Sequence, residues 1–302
     1  MKHGILGGTF NPIHNGHLSI ASDVQKSLNL DQIVFVPAKV PPLKPGASLF
    51  SAGQRWNMTK AAIAPLSFAS LSEVDFKRDG PSYSLNTLRD LGIELKAKPN
   101  DLFFIVGIDA FLDIKKWWQY EQLFELANFV IVTRPTYENK LGEIITIAGE
   151  LGFSYNEEVG RKFHSSYEVK GVAHSNTANK LVPNNSADPE SAQLYSGSDI
   201  YSSSKHPPKD TEITTEKFSI TEKPNKFRFF SQEGDNNSGR RGILPQMIKV
   251  LTNKSSLNLF ILEVNPVDIS SSEIRRRIGA KESILGMVPE VVVNLIKEEL
   301  IA

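Results

Sequence analysis

Short, almost wholly apolar runs alternate with longer segments of helical periodicity, and few folds accommodate that order. Residues 4–6, QIVFVPA at 32–38, DLFFIVG at 101–107, NFVIVTRP at 128–135 and LNLFILEV at 257–264 carry little polar alternation. That is the pattern of strands covered on both faces, as in a parallel sheet. Between them, HLSIASDVQKSL at 17–28 sets Leu18, Ala21, Val24 and Leu28 on one helical face. Helices are also expected over 54–64, 84–95 and 138–151, and in a segment carrying Phe111 and Trp117. FASLSEVDF at 68–76 alternates and reads as a third strand, followed by the turn KRDGPSYS. The last helix, PEVVVNLIKEELI at 289–301, should bury Val291, Val292, Leu295, Ile296 and Leu300, with Pro289 tolerated in its first turn. Repeated β then α predicts an α/β domain with a doubly wound, mostly parallel sheet.

One stretch breaks the alternation. Residues 173–242 are rich in Ser, Asn, Thr, Lys and Pro, a composition that cannot easily repay the entropy of ordering. The expected organisation is one domain over 1–172 and 243–302, with 173–242 as a largely disordered insertion. Within it, KFRFF at 226–230 can form a short strand or dock onto the domain or an unknown partner. The chain has no cysteine, which excludes disulfides, thiolate nucleophiles and Cys-ligated metals. Its 34 basic residues balance 34 acidic ones, which argues against general nucleic-acid binding. No apolar run approaches membrane-spanning length, and MKHGILGGTF lacks a secretory apolar region, so a cytoplasmic protein is expected.

Two of the six histidines fall in GGTFNPIHNGHL at 7–18, directly after the first strand. The G-x-G-x-x-G pattern of hydride-transfer folds is absent, but a strand end, a Gly-permitted turn and a helix start remain. Exposed N–H groups at such a start attract anions. His14 and His17 can add ring donors on the same opening turn, and oriented donors stabilise developing phosphoryl charge. Two isolated histidines can also do no more than cap a turn; their place after GGTFNP favours phosphate.

GGTFNPIHNGHL resembles the signature of the nucleotidylyltransferase superfamily, and ISSSEIR at 269–275 resembles its second signature. The resemblance implies a Rossmann-like nucleotidylyltransferase fold that binds ATP. It assigns the nucleotide to Gly7, Gly8, Thr9, Phe10, His14, His17, Gly107, Asp109, Ile269, Ser271, Ser272 and Arg275. His14, His17 and Arg275 would be catalytic. Independently, Ser270 followed by Glu273 matches a capping box, so SSSEIRRRI should open a helix. Arg275, Arg276 and Arg277 would then lie near its positive end, which suits a bound anion; for Arg276 and Arg277 the alternative is a solvated basic face, while Arg275 is expected to hold phosphate with Ser271 and Ser272.

The centre of the chain is similar to the nicotinate mononucleotide adenylyltransferase family. VPAKVPPLKP matches a Pro-Pro-His-Lys segment, with Leu43 in place of histidine and Lys44 retained. KRDGPSYSLNTL carries Tyr83 and Thr87, and FIVGIDAFLDIKKWW carries Trp117, where the family stacks its pyridine ring. Arg134 in VIVTRP matches a family arginine. Asn11, Lys44, Tyr83, Thr87, Trp117 and Arg134 would thus hold the mononucleotide. The resemblance implies attack by the acceptor's 5′-phosphate on the α-phosphorus of ATP, with Mg²⁺ carried by the nucleotide and no protein metal site. Nicotinamide mononucleotide and phosphopantetheine are alternative acceptors, and a non-enzymatic adapter is a further one. A homo-oligomer is compatible with the sequence.

Overall fold

The computed structural model describes residues 1–42, 50–133, 140–155, 246–264 and 267–301. In chain order these form β1 (His3–Gly8), α1 (Asn15–Ser27), β2 (Gln32–Pro37), α2 (Ala52–Ile63), β3 (Ala69–Leu71), α3 (Val74–Lys77), α4 (Ser84–Glu94) and β4 (Leu102–Gly107). There follow α5 (Ile108–Leu112), α6 (Tyr120–Leu123), β5 (Asn128–Thr133), α7 (Leu141–Glu150), β6 (Ser154–Tyr155), β7 (Gln246–Thr252), β8 (Asn258–Glu263), α8 (Ser271–Gly279) and α9 (Glu290–Ile301).

The strands make one sheet in the order β3-β2-β1-β4-β5-β8-β7-β6. Every pairing from β3 through β8 is parallel, whereas β7 runs antiparallel to both β8 and β6. The doubly wound, mostly parallel α/β architecture is therefore present. Side chains along each central strand alternate between two apolar layers. Leu6, Phe35, Ile105, Val130 and Phe260 enter the layer shared with α1, α2, α8 and α9. Ile5, Val34, Phe104, Ile131 and Ile261 enter the layer shared with α4, α5 and α7. Strands buried on both faces explain the continuous apolar runs.

Chain order leaves β1 toward β2 and β3 on one side and resumes at β4 on the other. The sheet thus has its topological switch point between β1 and β4, where open parallel sheets hold ligands beyond their carboxyl ends. GGTF and Gly107 lie at those ends.

Several local expectations change. The strand expected over 68–76 is only Ala69–Leu71, and Val74–Lys77 is helical. The turn carries Asp75 inward, where Arg78 Nη2 and the Thr87 hydroxyl donate to it at 2.5 and 2.6 Å. α5 ends at Leu112, and Trp117 follows a short 3₁₀ turn at Ile114–Lys116 instead of lying within a helix. In α9 the buried residues include Val292, Val293 and Ile296, while Val291 is exposed. Val292, Ile296 and the half-buried Leu295 thus face the core as expected, Val293 joins them in place of Val291, and the Leu300 side chain lies outside what is described. β6, β7 and the short α6 were not expected. α2 begins two residues before its expected start because Ser51 and Gln54 form a capping box: Gln54 N–H donates to Ser51 Oγ and Ser51 N–H to Gln54 Oε1. The stretch 173–242, with KFRFF inside it, lies outside the described residues, as do Lys44 and Arg134.

Candidate active site

The N-terminal signature forms a wedge and a helix start. Phe10 takes φ +46°, a conformation bulky residues rarely adopt, and its ring is only 2% exposed. That ring meets His17 edge-on at 5.0 Å and Phe35 at 6.0 Å. Gly8 makes room for it, since a Cβ there would lie 2.9 Å from Phe10 Cε1. His14 then caps α1, and its backbone N–H donates to His17 Nδ1 at 3.3 Å. An accepting Nδ1 places the neutral ring's proton on Nε2, so the donor edge of His17 is turned away from the His14 amide. The two imidazoles stack with centroids 3.7 Å apart. Gly16 permits this arrangement: a Cβ would stand 3.0 Å from His14 Nδ1 and 3.7 Å from the Ile269 carbonyl.

The second signature reaches the same place from the far end of the chain. Ser270 caps α8, accepting from Glu273 N–H at 3.1 Å. Ser271 Oγ donates to the Pro12 carbonyl at 3.1 Å, and Arg275 Nη1 to the Asn11 carbonyl at 2.9 Å. Arg275 Nη2 also donates to Ser272 Oγ at 3.2 Å. Asn15 closes the seam, with Nδ2 donating to the Gly286 carbonyl and its backbone N–H to that of Met287. A pocket of about 330 Å³ lies between the two helix starts, lined by His14, Gly16, His17, Ile269, Ser271, Ser272 and Arg275 among others. Both helices direct N-terminal N–H groups and the positive end of their dipole there, which favours an anion.

Arg276 and Arg277 point elsewhere. Arg276 pairs with Glu273 and Glu282 at 2.8 Å, and Arg277 with Glu273 at 2.8 Å. Hydrogen bonds from Arg276 and then Arg277 hold the Glu273 carboxyl down at about 2. The Glu273 carboxylate is engaged by these two arginines, and the structure shows only the Ser270 half of the expected capping box. The basic-face reading applies to these two arginines.

The remaining expected residues divide by position. Gly7 is the penultimate residue of β1 and Gly107 ends β4, and among the described residues no atom lies within 4 Å of a Cβ built on Gly107. Asp109 sits exposed in the first turn of α5, 3.4 Å from Lys140 Nζ. The Asn11 carbonyl accepts from Arg275, whereas the Thr9 carbonyl accepts from Arg55 Nη1 on α2. Thr87 is buried, and its hydroxyl donates to Asp75 and accepts from Arg78 at 3.3 Å. This places it in the support of the Tyr83 loop. Trp117 is half-buried with its ring edge-on to Phe104 at 6.3 Å. Its neighbour Trp118, which sequence reasoning passed over, is 42% exposed and stacks on Tyr83 at 4.9 Å. The WW doublet was the available signal for it. Among the described residues no group of three or more His, Cys, Asp or Glu could hold a metal ion. None of their helices is long and apolar enough to cross a membrane.

A doubly wound sheet that brings two helix starts, paired imidazoles and a guanidinium to its carboxyl edge defines an α/β protein suited to a polyanion. Residues 5–277 match the family model described as Cytidylyltransferase-like, and the chain belongs to that family. Among relatives, a Geotalea daltonii protein described as "Probable nicotinate-nucleotide adenylyltransferase" is 43% identical over 177 residues, covering 57% of this chain and 81% of that protein. A Geotalea uraniireducens protein with the same description is 44% identical over 176 residues, covering 57% and 80%. A solved Plasmodium falciparum nicotinic acid mononucleotide adenylyltransferase complexed with NaAD aligns at TM-score 0.42 and 21% identity, over 48% of this chain and 71% of that one. That last likeness is too slight to bear on the site.

Proposed function

We propose that this protein transfers the adenylyl group of ATP to nicotinate mononucleotide, giving nicotinate adenine dinucleotide and pyrophosphate. The observation that carries the reading is that His14, His17 and Arg275 line one shared pocket, reached by the starts of α1 and α8. The descriptions of its relatives support the acceptor. The acceptor's 5′-phosphate oxygen attacks the α-phosphorus, and the bond to the bridging oxygen of the β-phosphate breaks. No protein nucleophile is needed, so catalysis is alignment together with donors placed where charge accumulates. His14 and His17 would serve the α-phosphoryl group, and Arg275 would serve the departing pyrophosphate. Arg275 already lies on the Asn11 carbonyl, so the arriving anion meets a guanidinium fixed on one side.

Among the described residues that line it, the pocket offers hydroxyls and basic side chains and no carboxylate. Those donors suit Mg²⁺ only as a passenger on the triphosphate, where it would neutralise phosphate charge. Tyr83, Trp117 and Trp118 supply flat surfaces for a pyridine ring, and a planar heterocycle gains from such contact.

The decisive assay incubates the protein with ATP, Mg²⁺ and, separately, nicotinate mononucleotide, nicotinamide mononucleotide and phosphopantetheine, and measures pyrophosphate and adenylylated product. The nicotinate compound should turn over fastest. Turnover with phosphopantetheine alone would reassign the acceptor, and none with any acceptor would remove the enzymatic reading. Trp117→Ala should raise KM for the mononucleotide by about tenfold or more with less change for ATP. The reverse split would move the pyridine elsewhere.

A further inference from the structure

Arg55, on α2, has no role in the chemistry above, yet it is 3% exposed. Buried arginines ordinarily pair with carboxylates, because an unpaired charge in the interior is costly. No described carboxylate pairs with this one. Its partners are three carbonyl oxygens: Nη1 donates to Thr9 at 2.6 Å and Ala38 at 2.7 Å, and Nη2 to Lys39 at 3.1 Å. Its Nε has no acceptor among the described residues. Burial lowers the guanidinium pKa, although an arginine remains charged under ordinary conditions.

Those carbonyls occur where the sheet gives out. The β1–β2 register ends at Gly8 opposite Pro37, and Ala38 N–H makes a last bond to the Gly8 carbonyl. Beyond that point the two strands diverge, and the fork of Arg55 supplies the donors the ladder no longer can. The tie continues outward. Lys39 Nζ donates to the Arg78 carbonyl at 3.0 Å, while Val40 and Ser82 exchange bonds, Val40 N–H to Ser82 Oγ at 3.2 Å and Ser82 N–H to the Val40 carbonyl at 2.8 Å. Ser82 precedes Tyr83. A continuous path thus joins the loop leading to His14 and His17 with the loop carrying Tyr83.

We propose that Arg55 is a positioning residue. It clamps the Thr9, Ala38 and Lys39 carbonyls and thereby sets the histidine-bearing loop in register with the loop carrying Tyr83. This rests on reading the pocket as a nucleotide site. The uncompensated cation also biases the adjoining loop toward a polyanion, because its field is weakly screened in the interior.

Backbone hydrogen exchange on the full chain tests the clamp directly. In Arg55→Met, amides at 8–11 and 38–40 should exchange about tenfold faster or more, with those of β4 and β5 unchanged, because a local opening is released without loosening the core. Arg55→Lys keeps the charge and part of the bonding and should fall between. Saturating ATP alone should slow the 8–11 amides in Arg55→Lys toward wild-type rates. In turnover, KM for ATP should rise about tenfold in Arg55→Met and less in Arg55→Lys, as loop misplacement predicts. Unchanged exchange at 8–11 and 38–40 in Arg55→Lys would overturn the proposal, as would a uniform rise through the sheet. Should Arg55→Met fail to fold, Arg55→Lys alone decides. Exchange and ATP binding need no acceptor. Lack of turnover with nicotinate mononucleotide would therefore sink the functional reading while leaving the clamp to be judged separately.

Discussion

His17 is tied down three ways: by the His14 amide at Nδ1, by the stacked His14 ring and by the edge of Phe10. A donor held so firmly need not reorganise as phosphoryl charge develops, which is where such donors contribute most. His17→Ala should lower turnover about 10²–10³-fold, the usual cost of one preorganised donor. Because His17 is only half-buried, its removal leaves the melting temperature close to wild type. Pyrophosphate release and a thermal melt check both, and near-normal turnover would remove His17 from the chemistry. Gly16→Ala probes the same geometry without deleting a donor. Its Cβ needs the space His14 occupies, so turnover should fall at least about tenfold for a displacement of well under 1 Å. A wild-type rate would show that the stacked imidazoles are not required. Residues of this kind were legible because GGTFNPIHNGHL carries backbone and side-chain chemistry in one local stretch. Arg55 was not legible. Its partners are carbonyls, which every residue has, and only the folded path of β1 and β2 brings them together.

α8 shows how an element's charges are shared out. Arg275 faces the pocket, whereas Arg276 and Arg277 are turned outward to Glu273 and Glu282. Glu273 has its carboxyl held at about 2 against an ordinary 4.5, mainly by its bonds from Arg276 and then Arg277. A depressed carboxyl stabilises the fold above its unfolded value, and that contribution fades as pH falls from about 4.5 through about 2. Carbon-detected NMR should find Glu273 titrating near 2 while unpaired carboxyls titrate near their usual values. A midpoint near 4.5 would show that the ion pairs do not persist in solution. The Ser270–Glu273 capping pattern located the start of α8 but could not rank Glu273's partners, since a cap and an ion pair use the same carboxylate. The short elements were harder still. α3 reads as strand in the sequence because FASLSEVDF alternates, yet its helical turn brings Asp75 to Arg78 and Thr87. β7 gave little local signal, because its apolar residues are interrupted by Lys249 and its partner is β8 across a hairpin.

Across the whole molecule, the α/β order was readable from the start, since buried parallel strands are written as apolar runs. The antiparallel flank was not. β6 and β7 pair through Ser154 with Thr252 and Tyr155 with Leu251, although the sequence between them includes 173–242. Neighbouring antiparallel strands need only a short connection. Replacing 173–242 with a short Gly/Ser linker should therefore preserve the sheet and turnover within about twofold, because long surface insertions change closure entropy only slowly. Loss of folding would make the stretch structural, and loss of turnover with the fold intact would give it a part in catalysis. The pocket imposes a different dependence. One helix start rests on Pro12 and Asn11, the other on Gly286 and Met287. A ribosome-bound chain that has completed β1 through β8 would own a finished sheet and an inert one. The pocket needs the stretch around 269–287 as well, so a folded sheet by itself holds no charge trap.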